Sequence, residues 1–180
     1  MEALEPHGSA SAPAAEPAAV VGTSAESTEA QAAAQTHGYM CFRVGPLGLL
    51  FHSDAAREVL APPPVSRVPH TAPWLQGLTN VRGELVPVVD TAAAFGVARD
   101  ARARPYLLIF GQGEAAVGLL IDGLPRLFDP GAAVPRPTPA ELPNLLAGSV
   151  IGACEHDGRT WLDIDVDRLL DALARHAPHA

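Results

Sequence analysis

Residues 77–90 read GLTNVRGELVPVVD. Two apolar runs flank Asn80, Arg82, Gly83 and Glu84, and Pro87 interrupts the second run. Apolar residues on both sides of a short polar segment with glycine predict two antiparallel strands joined by a tight turn. Cross-strand packing of Leu78, Leu85, Val86, Val88 and Val89 would hold such a hairpin. Gly83 supplies the positive φ that the turn demands. Pro87 has no N–H for a ladder, so its strand lies at an edge, or the proline sits at a bulge or a non-bonded position. Arg82 then projects from a rigid support with five donors in a planar fork. The alternative is an arginine that pairs internally, with Glu58 or Glu84, and only fixes the loop.

The same texture extends outward from the hairpin. YMCFRVGPLGLLF (39–51) alternates on both sides of a Gly-Pro turn and predicts strand, turn, strand. SDAAREVL (53–60) begins as a short turn with Ser53 or Asp54 as its cap, and the prolines of APPPVSRVP (61–69) impose an extended chain. DTAAAFG (90–96) has an aspartate cap, alanines and a closing glycine, the signature of a short helix. RDARARP (99–105) reads as a charged, mobile connection, and YLLIFGQGEAAVGLLIDG (106–123) as two strands with a short loop. DPGAAVPRPTPAELPN (129–144) is too rich in proline for regular structure. GSVIGACEHDGRTWLDID (148–165) predicts two strands around an Asp-Gly turn. Val166, Leu169, Leu170 and Leu173 recur at helical spacing, an amphipathic C-terminal helix capped by Asp165 or Asp163.

Many short strands with turns every eight to twelve residues point to an all-β fold, and two small barrels sharing a hydrophobic seam fit the length best. Residues 1–36 differ: no aromatic residue, no isoleucine, and five glutamates without an arginine. Such a segment buries too little to offset its ordering entropy, so 1–36 is expected to be a disordered acidic tail and 37–180 the folded unit.

Composition excludes several function classes. Every one of the 12 basic residues is arginine, and the net charge of −8 gives no clustered positive field for nucleic acid. The amino end lacks the charged and apolar regions of a secretory signal, and no apolar run is long enough to span a bilayer, so a cytoplasmic protein with reduced thiols at Cys41 and Cys154 is expected. Gly111, Gly113 and Ala116 formally match G-x-G-x-x-A, but a strand-like run follows where a nucleotide site needs a helix. Asp163, Asp165 and Asp167 imitate the start of a calcium loop, yet Arg168 and Ala174 occupy the positions that require glycine and glutamate. The histidines and serines form no zinc or nucleophile motif. A binding module without cofactor or metal is the reading these exclusions favour, against a small enzyme with a pocket no motif reveals.

Taken in order, REVL (57–60), VSRVPHTAPWLQGLTNVRGELVPVVD (65–90), LLIFGQGEAAVGLLIDGL (107–124) and WLDIDVDRLL (161–170) resemble the CheW-like domain of bacterial chemosensory systems. The resemblance spans residues 39–173 and is most specific in P-W-x-x-G-x-x-N-x-R-G-x-x-x-P-V-x-D. It implies two five-stranded SH3-like barrels on a common core, with a short helix and a C-terminal helix. It also implies a non-enzymatic scaffold that bridges the cytoplasmic tips of methyl-accepting chemoreceptors and the regulatory domain of a CheA-type histidine kinase. A member serving type IV pilus twitching or another chemosensory pathway is the alternative. Carried over residue by residue, Arg82 is the arginine implicated in partner contact, Glu58 and Val59 lie near a partner surface, and Gly77, Asn80 and Gly83 shape the hairpin. The chain departs from the family pattern at Ala56, where a β-branched residue is usual, and at Thr91, where the usual VDL reads VDT.

Overall fold

The computed structural model describes residues 38–177, so the expected disordered tail lies outside the described residues. Eleven strands are arranged among these residues as β1 (Tyr39–Val44), β2 (Leu47–His52), β3 (Ala56–Leu60), β4 (Leu75–Val81), β5 (Glu84–Asp90), β6 (Pro105–Phe110), β7 (Val117–Asp122), β8 (Arg126–Phe128), β9 (Val134–Arg136), β10 (Val150–His156) and β11 (Arg159–Ile164). The helices are α1 (Thr91–Phe95), α2 (Asn144–Ala147) and α3 (Val166–His176).

The strands form two sheets, ordered β8-β1-β2-β11-β10-β9 and β3-β6-β7-β5-β4. The first has six named strands where five were expected, but β8 and β9 belong to one bent run of chain. β8 pairs with β1, a 3-10 turn at Pro130–Ala132 bends the run, and β9 pairs with β10. Counted as one, that run completes a five-membered ring. In the second sheet the chain leaving β3 crosses to β4, where Ser66 and Leu78 exchange both backbone hydrogen bonds at 2.8 Å. The lobes are not successive halves of the sequence. β1 and β2 join the C-terminal strands through a parallel β2–β11 pairing, and β3–β7 form the second lobe between them.

Period-two alternation divides the apolar residues between three cores. On β6, Leu107 and Ile109 fill the second lobe, while Leu108 and Phe110 face the other way. On β1 and β2, Cys41 and Leu50 fill the first lobe, while Phe42, Leu49 and Phe51 face the seam. The seam is the largest cluster, completed by Leu119, Ile121, Leu162, Ile164 and residues of all three helices. Phe51 meets Phe110 edge-on across it, ring centres 5.2 Å apart, an aromatic geometry worth more than its buried area alone.

Local readings divide. Asp90 caps α1 and Gly96 ends it at φ 65°, as the sequence predicted. Asp165 caps α3 by accepting from the Arg168 N–H, and Asp163 does not. The turn at Ser53–Ala55 has His52 at its cap position and no side-chain cap bond, so neither Ser53 nor Asp54 plays that part. The proline-rich 129–144 stretch is more regular than expected: it carries β9 and leads into α2, because extended edge pairing tolerates proline. Arg99, at the start of RDARARP, bridges two aspartates on neighbouring strands. A strand follows the glycines at 111 and 113, so they serve a β6–β7 connection.

Thr91, the departure from the family pattern, is fully buried at the start of α1, and its hydroxyl has no hydrogen-bond partner. Desolvating an unpaired hydroxyl costs about 1–3 kcal/mol. Replacing it with the isosteric Thr91→Val is expected to stabilise the fold by about 1 kcal/mol and to raise the melting temperature by roughly 2–4 °C in a thermal unfolding experiment.

Candidate functional site

The β4–β5 hairpin closes through a two-residue turn with Arg82 at φ 52° and Gly83 at φ 91°. Positive φ at both central positions is the type I′ geometry, whose twist matches the flanking strands and which favours Asn-Gly. Asn80 fixes the turn by accepting from the Gly83 N–H at 2.9 Å. The glycine reading therefore holds, but Arg82 also occupies the left-handed region. For a residue with a Cβ that costs about 1–2 kcal/mol.

Pro87 is not on an edge strand, since β5 lies between β4 and β7. It is tolerated because the parallel ladder with β7 covers only Val88–Asp90 and leaves the proline beyond its end. Gly77 adopts φ 139°, and a Cβ there would sit 2.1 Å from the Ser66 carbonyl oxygen. Only glycine admits the extended 61–66 segment close enough to cover the β4 edge.

Two ion pairs join the hairpin tip to β3. Arg82 Nη2 lies 2.8 Å from Glu58 Oε1, and Arg57 pairs with Glu84. The β3–β6 register shifts between Ala56 and Glu58, and this bulge lets consecutive side chains, Arg57 and Glu58, both reach the same tip. The structure thus brings Arg82, Glu58, Asn80 and Gly83 together. Val59 is half-buried against the seam and Gly77 serves backbone approach. The Arg82 side chain remains 74% exposed despite its ion pair, and Leu85 beside it is 65% exposed. A pair so exposed contributes under about 1 kcal/mol, which leaves the guanidinium free to exchange Glu58 for another carboxylate at little cost. Arg57 was not singled out in the sequence, because a bulge leaves no signature in residue type.

Behind the hairpin, Asp90, Arg99 and Asp122 form a network. Arg99 donates to Asp90 at 2.8 Å and to Asp122 at 3.2 Å, and Asp122 also accepts from the Gly45 N–H at 2.6 Å. That last bond ties the β1–β2 turn of one lobe to the end of β7 in the other. A second surface lies on the first lobe: Leu124 and Leu127 are 57% and 82% exposed beside a groove of about 550 Å³ rimmed by Arg43, Arg126 and Arg159. The run DGLPRLF (122–128) hides this in sequence, since consecutive Leu127 and Phe128 both read as core.

A CheW-like domain family model matches residues 38–174. The chain belongs to the CheW-like family. It is 25% identical to the chemotaxis protein CheW of Rhizobium meliloti over 139 residues, covering 77% of this chain and 90% of that one. It is 30% identical to CheW of Klebsiella aerogenes, covering 60% of this chain and 66% of that protein. PilI of Pseudomonas aeruginosa is 28% identical, covering 51% of this chain and 52% of its own length. The scaffolding protein TtCheW of Thermoanaerobacter tengcongensis shares the fold with a TM-score of 0.58 at 20% identity, covering 72% of this chain and 88% of that one. CheW-like membership accounts for the two-barrel architecture. Among the described residues of this CheW-like domain no group of three or more His, Cys, Asp or Glu is placed to hold a metal, and no helix is long and apolar enough to cross a membrane.

Burial alone would raise the Asp90 carboxyl, but hydrogen bonds from Arg99, the Ala93 N–H and Gln76, with the Arg99 charge, hold it below its ordinary value. A carboxyl lowered on folding contributes stability above its unfolded pKa and loses it as pH falls through the folded value. The melting-temperature gap between the wild type and Asp90→Asn is therefore expected to be full near pH 6 and to close as the pH falls below about 4, in melts across that range.

Proposed function

We propose that this CheW-like chain is a non-enzymatic adaptor that couples methyl-accepting chemoreceptors to the regulatory domain of a CheA-type histidine kinase in bacterial chemosensory signalling. It would act in the cytoplasm, at the inner face of the membrane through receptor arrays. The observation that carries this reading is Arg82 at the hairpin tip. An exposed arginine stands in a left-handed position that glycine or asparagine would occupy at lower energy. Backbone strain retained at an exposed arginine points to contact with a partner.

An adaptor needs two separate surfaces. The Arg82 tip with Glu58 and Leu85 lies on the second lobe, and the Leu124–Leu127 patch lies on the first. Each contact can be modest, below about 1,200 Å², because arrayed receptors and kinases raise the effective concentration of one another. Signal transmission then requires only about 1–3 kcal/mol of coupling between the two contacts. Similarity to PilI supports a second reading, the same scaffold in a type IV pilus chemosensory pathway. Pull-down against each candidate kinase separates the two.

In a reconstituted receptor–kinase mixture, Arg82→Ala is expected to keep the fold and to weaken adaptor binding by about tenfold or more, with kinase activation falling accordingly. Arg82→Gly should melt at the same or a higher temperature than the wild type and yet lose activation, because it relieves the left-handed strain while removing the guanidinium. Unchanged activation by Arg82→Ala at equal protein concentration would remove this residue from the contact. We also take 37–180 as the folded unit, so deleting residues 1–36 should leave the melting temperature nearly unchanged.

A further inference from the structure

Asp163 belongs to the aspartate run of the sequence but takes no part in the α3 cap or the hairpin tip. Along β11, Leu162 and Ile164 face the seam, so alternation turns Trp161 and Asp163 into the first lobe. That interior is mostly apolar: Cys41, Leu50 and Phe128, with Tyr39, Cys154 and Trp161 against them, the Trp161 Nε1–H being buried without a partner as well. Asp163 Oδ1 is buried there without a hydrogen-bond partner. A carboxylate has about four lone-pair sites to satisfy, and leaving a buried one empty is costly.

Beside this carboxyl lies a cavity of about 210 Å³, lined by Tyr39, Leu50, Phe128, Ala133, Cys154 and Asp163 among others. At about 30 Å³ per water in the liquid, the space corresponds to about seven waters, enough for a small organic molecule. Gly152 helps to keep it open, since the nearest atom to a Cβ there would be the Asp163 Cβ at 3.7 Å. No arginine lines the cavity, and the bent run between β8 and β9 contributes only Phe128, prolines and Ala133. The titratable neighbours are Tyr39 on β1, Cys154 on β10 and His52 on β2. The His52 ring lies 4.3 Å from that of Tyr39, and its charge acts on Asp163.

We propose that this cavity is a binding site for a primary ammonium group on a short apolar stem. The Asp163 carboxylate receives the ammonium N–H groups, the aromatic Tyr39 and Phe128 favour the cation, and Leu50 with Ala133 encloses the methylenes. Free alkylamines and the end of a lysine side chain share this chemistry. Burial raises the Asp163 carboxyl against a smaller opposing effect of His52. Binding a cation requires the ionised form, so affinity strengthens as pH rises from acid to neutral.

The test is an NMR titration of the ¹⁵N-labelled full chain at neutral pH with n-butylammonium chloride, against 1-butanol at the same concentrations. The expected result is a saturable shift of amides around Tyr39, Gly152 and Asp163, with binding at least about tenfold weaker for 1-butanol and for Asp163→Asn. Ala133→Leu, which fills the wall and keeps the carboxyl, should abolish the shift and serves as the variant should Asp163→Asn not fold. A parallel arm with N-acetyl-lysine methylamide assigns the source: saturation there extends the site to a lysine side chain, and saturation by butylammonium alone assigns it to free amines. No saturable shift with butylammonium, equal binding of the alcohol, or unchanged binding in a folded variant would overturn the proposal.

Discussion

The apolar seam between the lobes is the contact on which the rest of the structure depends. Among the described residues, the interior of the first lobe has three buried hydrophobic residues, Cys41, Leu50 and Phe128, and that of the second has seven. Cores of that size do not stabilise an isolated barrel. Eighteen buried residues meet in the seam, and they come from both lobes and all three helices. Because β1 and β2 complete the lobe built by the C-terminal strands, the first lobe closes only when these distant segments have met, whereas β3–β7 form the second lobe from one continuous stretch. The seam then couples the two lobes. A substitution in Phe51 or Phe110 acts on both barrels at once.

This rigidity also holds the exposed hairpin in one geometry. The β4–β5 ladder is anchored on β7, the Ser66–Leu78 bridge covers its free edge, and the Asp90–Arg99–Asp122 network fixes its base to the turn at Gly45. Only the outermost connection, Arg82 to Glu58, is solvent-exposed and weak. The gradient runs from a buried apolar seam through half-buried charge pairs to an exposed surface pair. A partner can take over the last of these without disturbing the others.

Much of this was legible in the sequence, for definite reasons. The apolar runs of β1, β2, β6 and β7 are nearly continuous because each strand has two apolar faces, one in a lobe and one in the seam. The glycine at 83 and the Asp-Gly at 157–158 announced their turns through required φ values. Asp90 and Gly96 announced both ends of α1. What stayed hidden depends on contacts between distant segments. The bulge that brings Arg57 to the tip, the anchoring of Arg99 by aspartates 9 and 23 residues away, and the ring closed by β8 and β9 have no local signature. Asp163 shows the same limit from the other side. Its neighbours in sequence made it a helix cap, whereas strand register turned it, half-buried, into the first lobe.

Thr91, Asp163 and Arg82 are among the described residues that violate local rules, and their surroundings distinguish them. Thr91 places an unpaired hydroxyl at the buried start of α1, and its loss would cost the fold nothing. Asp163 places an unpaired carboxyl against open space, so its cost is recoverable by whatever enters that space. Arg82 places backbone strain beneath an exposed guanidinium. Function is expected where a violation faces a volume or surface that another molecule can fill, and merely tolerated history where it does not. On that criterion the hairpin tip and the first-lobe cavity are the candidate sites, and Thr91 is a position for stabilisation.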